Sequence, residues 1–109
     1  MRILFDHGTP APLARFLTGH SITKAKDAGW DRLANGELIA VAERAGFDLL
    51  LTTDKNIRYQ QNLAGRGIAI IVLGDQQWPN VQLHVALVIA AVNAVVPGSY
   101  LEVHIPYKE

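Results

Sequence analysis

The stretch from Asp48 to Leu63, Asp-Leu-Leu-Leu-Thr-Thr-Asp-Lys-Asn-Ile-Arg-Tyr-Gln-Gln-Asn-Leu, constrains the fold of this chain more than any other. An unbroken apolar run has no polar face to offer to solvent. Leu49-Leu50-Leu51 therefore reads as a strand covered on both sides, the condition of a parallel sheet lying between helices. The run ends in two hydroxyls and an acid, and the residues after it read as a helix with a polar face, as far as Ala64 and Gly65. Such a strand delivers Asp54 to the carboxyl edge of the sheet, where open α/β folds keep their chemistry. Asp54 also stands where a helix N-cap is expected, and its carboxylate can cap the amide of Asn56 or Ile57.

A second strand ends in the same way. Arg2-Ile3-Leu4-Phe5 is short and apolar and runs into Asp6-His7-Gly8-Thr9-Pro10, where Gly and Pro stop the strand. Asp6 thus holds the same place in the first strand-turn unit that Asp54 holds in a later one. Two acids at one sheet edge repel each other unless a cation or a proton lies between them. A divalent metal is the simplest way to offset that repulsion.

The chain has 109 residues, half of them apolar, which suits one domain spanning 1–109 with a single sizeable core. It contains no cysteine, so disulfides and thiolate metal sites are excluded. The first residues read as strand rather than as an export signal, so a cytoplasmic location is expected. Ten basic and ten acidic side chains cancel, which excludes coating of nucleic acid by bulk attraction and leaves only local contact. Beyond Arg66 the only lysine or arginine is Lys108, so any phosphate-binding surface belongs to the N-terminal two thirds, which holds Arg2, Arg15, Lys24, Lys26, Arg32, Lys55 and Arg58.

The remaining elements alternate. Ala11 to Leu17 reads as a short helix, His20 to Thr23 as a half-polar edge strand, and Lys24 to Ala28 as one helical turn before a loop in which Trp30 covers the core. Asn35 is expected to cap a helix that Gly46 ends. Its apolar stripe is Leu38, Ile39, Ala42 and Ala45, and Glu37 in the first turn either complements the helix dipole or projects toward the sheet edge. Ile68 to Leu73 is another unbroken strand, followed by Gly74-Asp75-Gln76-Gln77, a loop in which Asp75 is read as solvent-exposed. Pro79 to Val96 reads as one long helix, apolar almost all round but too short for a membrane span, and therefore a core helix or a homodimer face. Tyr100 to Ile105 alternates as a half-exposed last strand, with Leu101, Val103 and Ile105 inward. The expected fold is a three-layer α/β/α sandwich with a mainly parallel sheet of about five strands and right-handed crossovers.

Three stretches together resemble the PIN domain superfamily, and most of all its small bacterial PIN-like members. They are Ile3-Leu4-Phe5-Asp6, Asn35-Gly36-Glu37-Leu38 at the head of a helix, and Leu50-Leu51-Thr52-Thr53-Asp54-Lys55-Asn56, with an apolar strand to Leu73 beyond. The resemblance covers most of the chain from Arg2 to Leu73, and Thr-Thr-Asp with its upstream Gly-Phe-Asp is its most specific part. It implies a metal-dependent endoribonuclease that hydrolyses RNA phosphodiesters. Asp6, Glu37 and Asp54 would be catalytic ligands of Mg²⁺ or Mn²⁺, hard ions that prefer carboxylate and water oxygens. Thr53, Lys55 and Arg58 would contact the substrate, and Thr52 or Thr53 would orient a ligand. The resemblance also implies the toxin of a toxin-antitoxin pair, with a small antitoxin protein as partner.

One position departs from that pattern. Members that look active carry a further acid shortly after Thr-x-Asp, where this chain has Asn56, a neutral and weaker metal ligand. The alternative function is therefore a catalytically inactive PIN-like module that binds a protein or RNA partner. Tyr59 and Gln60-Gln61-Asn62 offer a face for unpaired bases or simply for solvent. The histidines His7, His20, His84 and His104 show no metal-ligand spacing.

Overall fold

A computed structural model describes residues 1–57 and 67–106 of the chain. Among them are five strands, β1 Arg2–Phe5, β2 Ser21–Lys24, β3 Leu49–Thr52, β4 Ala69–Leu73 and β5 Tyr100–Val103. They form one sheet in the order β2-β1-β3-β4-β5, and every neighbouring pair is parallel. A 3-10 helix, Ala11–Phe16, follows β1. Helix α1, Asn35–Arg44, precedes β3, and α2, Trp78–Gln82, and α3, Val85–Ala94, connect β4 to β5.

The unbroken apolar runs occupy the middle of the sheet, as their composition demands. Every residue of β3 and β4 is buried, whereas the edge strands β2 and β5 are mostly half-buried or exposed. Alternate residues of each strand feed two separate cores. On one face Ile3, Phe5, Leu49, Leu51 and Ile71 pack with Leu13 of the 3-10 helix and with Val88 and Val92 of α3. On the other, Leu4, Leu50, Ile70 and Val72 pack with Leu38, Ile39 and Ala42 of α1. The result is an α/β fold with helices against both sheet faces, consistent with the three layers expected.

The expected helix from Pro79 to Val96 is two helices. His84 departs from helical dihedrals (φ −127°, ψ 28°), and the chain restarts as α3. A segment this apolar carries little periodic contrast, and the polar residues Gln82 and His84 that flank the break are individually compatible with a helix. Leu101 also differs from expectation: on the edge strand, with β4 its neighbour on one side only, it stays 38% exposed while Val103 and Ile105 are buried. Arg2, counted with the basic residues, belongs to the amino edge. Its guanidinium donates to Ala45 O and lies 4.5 Å from the centre of the Phe47 ring, while its amide donates to Asp48 Oδ2 (2.8 Å). Gly46, with φ +88°, makes the left-handed turn that ends α1 and lets Phe47 N return to Ala42 O (3.0 Å).

The connections are not uniformly of one hand. The β1–β2 and β4–β5 connections cover the same face, since Leu13, Leu17, Val81 and Val88 share one core, yet they step across the sheet in opposite directions. The β2–β3 connection steps the same way as β4–β5 but covers the opposite face with α1. It therefore shares its hand with β1–β2, and β4–β5 has the opposite hand, so the crossovers are not all right-handed as expected. That correction has a local reason: a helix apolar nearly all round does not dictate which sheet face it covers. It also shapes the carboxyl edge. The loops after β1 and β4 turn to one face, while the loop after β3 turns to the other, where Ile57 is fully buried in the α1 core. Neighbouring loops that part in this way leave a crevice between them. Here there are three, one between the β2 and β1 loops and one on each side of the β3 loop.

Candidate functional site

The β1/β3 crevice is built around Thr52, the last residue of β3 and fully buried. Its hydroxyl donates to Asp6 Oδ2 (2.7 Å) and accepts from the amide of Asp54 (3.1 Å). One oxygen thus ties the acid that ends the first strand unit to the backbone of the acid that ends the third. The β1 turn is further pinned to β3 because Asp6 N (3.0 Å) and Thr9 Oγ1 (2.8 Å) both donate to Leu51 O. Asp6 Oδ1 accepts from the amide of His7 (2.7 Å).

Asp54 has the capping role its position suggests: Oδ1 accepts from Asn56 N (3.0 Å), and its carbonyl accepts from Ile57 N (3.3 Å). Its second oxygen, Oδ2, accepts from Asn35 Nδ2 (2.6 Å). Asn35 was expected as the cap of α1. Instead it is the first helical residue, Ala34 holds the N-cap position without a side-chain bond, and the Asn35 carboxamide reaches across to Asp54.

Asp6 and Asp54 are therefore brought into one hydrogen-bonded unit at the reversal of strand order. Glu37 lies in the first turn of α1 and is exposed. Asn56 contributes its backbone amide to the Asp54 cap, and the residue is exposed. Among the described residues no group of three or more His, Cys, Asp or Glu side chains is arranged to hold a metal ion. The donor set of the acid pair nevertheless fits a hard divalent cation. A carboxylate offers about four lone-pair positions, and the hydrogen bonds named above occupy two on each acid. Mg²⁺ characteristically takes one or two carboxylates and keeps several waters.

The basic residues are distributed around this edge. Lys24 and Lys26 line a cleft of about 190 Å³ beside Asp6 and His7. Lys55, exposed, stands between two further clefts. Arg58, expected to contact substrate, lies outside the described residues, as do Tyr59, the Gln60–Asn62 carboxamides and Lys108.

Asp75 is a structural acid rather than a loose loop residue. Its Oδ1 accepts from Gln77 N and its Oδ2 from Asn80 Nδ2, both at 2.8 Å, which locks the turn into α2. The Gln77 amide, helped by Asn80, the Gln76 amide and the positive charge of Lys55, holds its carboxyl below the usual value against a smaller opposing effect of burial.

Several features of this edge escaped sequence reasoning: the link Thr52 makes between Asp6 and the Asp54 amide, the reach of Asn35, and the close approach of Gly8 and Gln76. A Cβ at Gly8 would fall on Thr53 Oγ1 and lie 3.3 Å from Gln76 Oε1, so three loops meet at this glycine. The usable signal was Thr52 itself, because a hydroxyl closing a fully buried strand must find a polar partner. No family model matches the chain, and neither the curated proteins nor the solved structures compared with it give a match.

Proposed function

We propose that this chain is a PIN-like, metal-dependent endoribonuclease whose site is the Asp6–Thr52–Asp54 unit. The observation that carries this reading is that the Asp6 carboxylate and the backbone amide of Asp54, far apart in sequence, meet on one buried hydroxyl at the reversal of strand order. Asp6 and Asp54 would hold Mg²⁺ or Mn²⁺, with Glu37 acting through water. The ion, when bound, lowers the pKa of a water and polarises the scissile phosphate. Thr52 fixes the orientation of the Asp6 carboxylate, and Asn35 and Asn56 fix that of Asp54, so both ligands are held in place beforehand. Lys55 and Arg58 would steady the phosphate electrostatically, with Thr53 beside them. On the same reading the protein works in the cytoplasm as a toxin controlled by a small antitoxin. Among the described residues no helix is long and apolar enough to cross a membrane.

A second reading has its own observation. Asn56 leaves the motif one acid short, and each oxygen of both carboxylates accepts a named hydrogen bond from a neutral donor. A module of this kind would keep its acids for folding and bind a partner without cleaving it. Calorimetric titration with Mg²⁺ and Mn²⁺, alongside cleavage of a mixed RNA pool, separates the two. The nuclease binds metal and cuts RNA only with metal, and Asp54→Asn loses both. Absence of both in the wild-type protein leaves the binding module. The exposed side chains Leu83 and Leu87 make the helical segment 79–96 the proposed homodimer face. Sedimentation of wild-type and Leu87→Glu protein tests it, since a dimer that survives the charge does not use this face.

A further inference from the structure

Of the crevice between the β3 and β4 loops, the reading above uses only Thr53 and Lys55. It exists because β4 sends its chain to the face opposite the one taken by the β3 loop, the consequence of the odd-handed β4–β5 connection. Thr53, Lys55, Gly74, Asp75, Gln76 and Gln77 line a cleft of about 300 Å³ there. That is the lower end of the range small-molecule sites occupy, roughly 300–1,000 Å³, a size for one planar group rather than an extended cofactor. Its walls are rigid where it matters, because the Asp75 carboxylate binds Gln77 N and Asn80 Nδ2 and so fixes the β4 loop.

We propose that this crevice is a nucleobase subsite, receiving the unpaired base next to the phosphate held at the acid pair, with the Gln76 and Gln77 carboxamides reading its edge. This rests on the ribonuclease reading for the identity of the ligand. Three observations support it. The first is adjacency: Thr53 forms one wall of the crevice, and its hydroxyl lies against Gly8 of the loop that carries Asp6, where Gln76 also reaches. A strand whose phosphate lies at Asp6 and Asp54 thus has its next base within one residue of the crevice.

The second is charge. Lys55 is balanced by Asp75, whose carboxyl is held anionic by its hydrogen bonds, so the crevice repels a phosphate about as much as it attracts one. A neutral polar group fits better. The third is donor chemistry. Each carboxamide offers both an acceptor and donors, the complement of a base edge, and both glutamines are exposed rather than committed to the core. Single-stranded RNA is the substrate that presents such edges, because its bases are unstacked and their hydrogen-bonding edges free.

The test uses the full wild-type chain stripped of divalent metal, so that nothing is cut, titrated with the dinucleotides UpU, CpC, ApA and GpG and followed by amide and carboxamide NMR shifts. The subsite predicts shifts at Gly74–Gln77 and at the Gln76 and Gln77 side chains, with one base preferred. Adding Gln76→Ala and Gln77→Ala weakens that dinucleotide roughly tenfold and erases the preference. Shifts confined to other parts of the sheet edge, unchanged affinity in the glutamine variant, or equal shifts with inorganic phosphate alone overturn the subsite.

Cleavage of a random RNA pool with the divalent metal restored is the second arm, and the glutamine variant must show an altered nucleotide profile around the cut. An unaltered profile overturns the subsite and leaves the nuclease standing. No cleavage by any form, together with base-selective shifts in the crevice, upholds the subsite and removes the nuclease. Far-UV circular dichroism confirms that the exposed substitutions leave the fold intact.

Discussion

Replacing Thr52 with valine removes one oxygen and adds one methyl at a fully buried position, so side-chain volume barely changes while the link between the two acids is lost. The Asp6 carboxylate loses a charge-assisted hydrogen bond of about 1.5–3 kcal/mol, and the Asp54 amide loses an acceptor for about 1 kcal/mol more. The added methyl returns about 1 kcal/mol of burial. The expected net loss is about 1.5–3 kcal/mol, a drop in Tm of roughly 6–15 °C for a domain of this size.

Thr52→Ser keeps the oxygen and removes the methyl, at a cost of about 1 kcal/mol. The order is the diagnostic. In an ordinary apolar core valine is the better tolerated substitution, and here serine must be. Urea denaturation followed by circular dichroism measures both, provided the m-value stays constant. A double-mutant cycle with Asp6→Ala should give a coupling of about 1 kcal/mol or more. Valine as stable as wild type, or more stable than serine, refutes the argument that this hydroxyl organises the edge.

Asn35→Asp places a second carboxylate against Asp54 Oδ2. The metal-free protein should melt several degrees lower, and Mg²⁺ should raise its Tm by more than it raises that of wild type, measured by differential scanning calorimetry. Gly8→Ala drives a Cβ onto Thr53 Oγ1 between three loops and should cost about 1–3 kcal/mol in urea denaturation. Asp75 has a folded-state pKa held below its ordinary value of 3.8, so it adds stability above that value and the contribution disappears as pH falls through the folded pKa. Asp75→Asn should therefore flatten the dependence of the urea midpoint on pH below about pH 4, while wild type retains it.

Much of the architecture is written locally. Leu49-Leu50-Leu51 and the Ile68–Leu73 run admit no solvent-facing side, which is enough to demand a parallel sheet covered on both faces, and both segments are buried throughout. The turn residues after Phe5 and Thr52 are enough to put Asp6 and Asp54 at strand ends. These inferences succeed because periodicity, burial and chain breaking depend on residues close together in sequence. The hand of the β4–β5 connection does not, because helix α3 is apolar on nearly every side and its face is chosen by packing against the completed sheet. The break at His84 and the exposure of Leu101 belong to the same class.

The candidate site divides in the same way. That acids gather at the carboxyl edge follows from strand direction, but their partners follow from strand order. Only once β1 and β3 are neighbours does Thr52 stand between Asp6 and Asp54, and only with α1 packed over β3 does Asn35 reach Asp54. By itself the sequence determined which residues end the strands and which faces must be hidden. The tertiary structure decided which of those ends meet and which crevices open between them. A hydrophobic pattern specifies how much surface a segment buries, and leaves to the packed molecule the choice of what buries it.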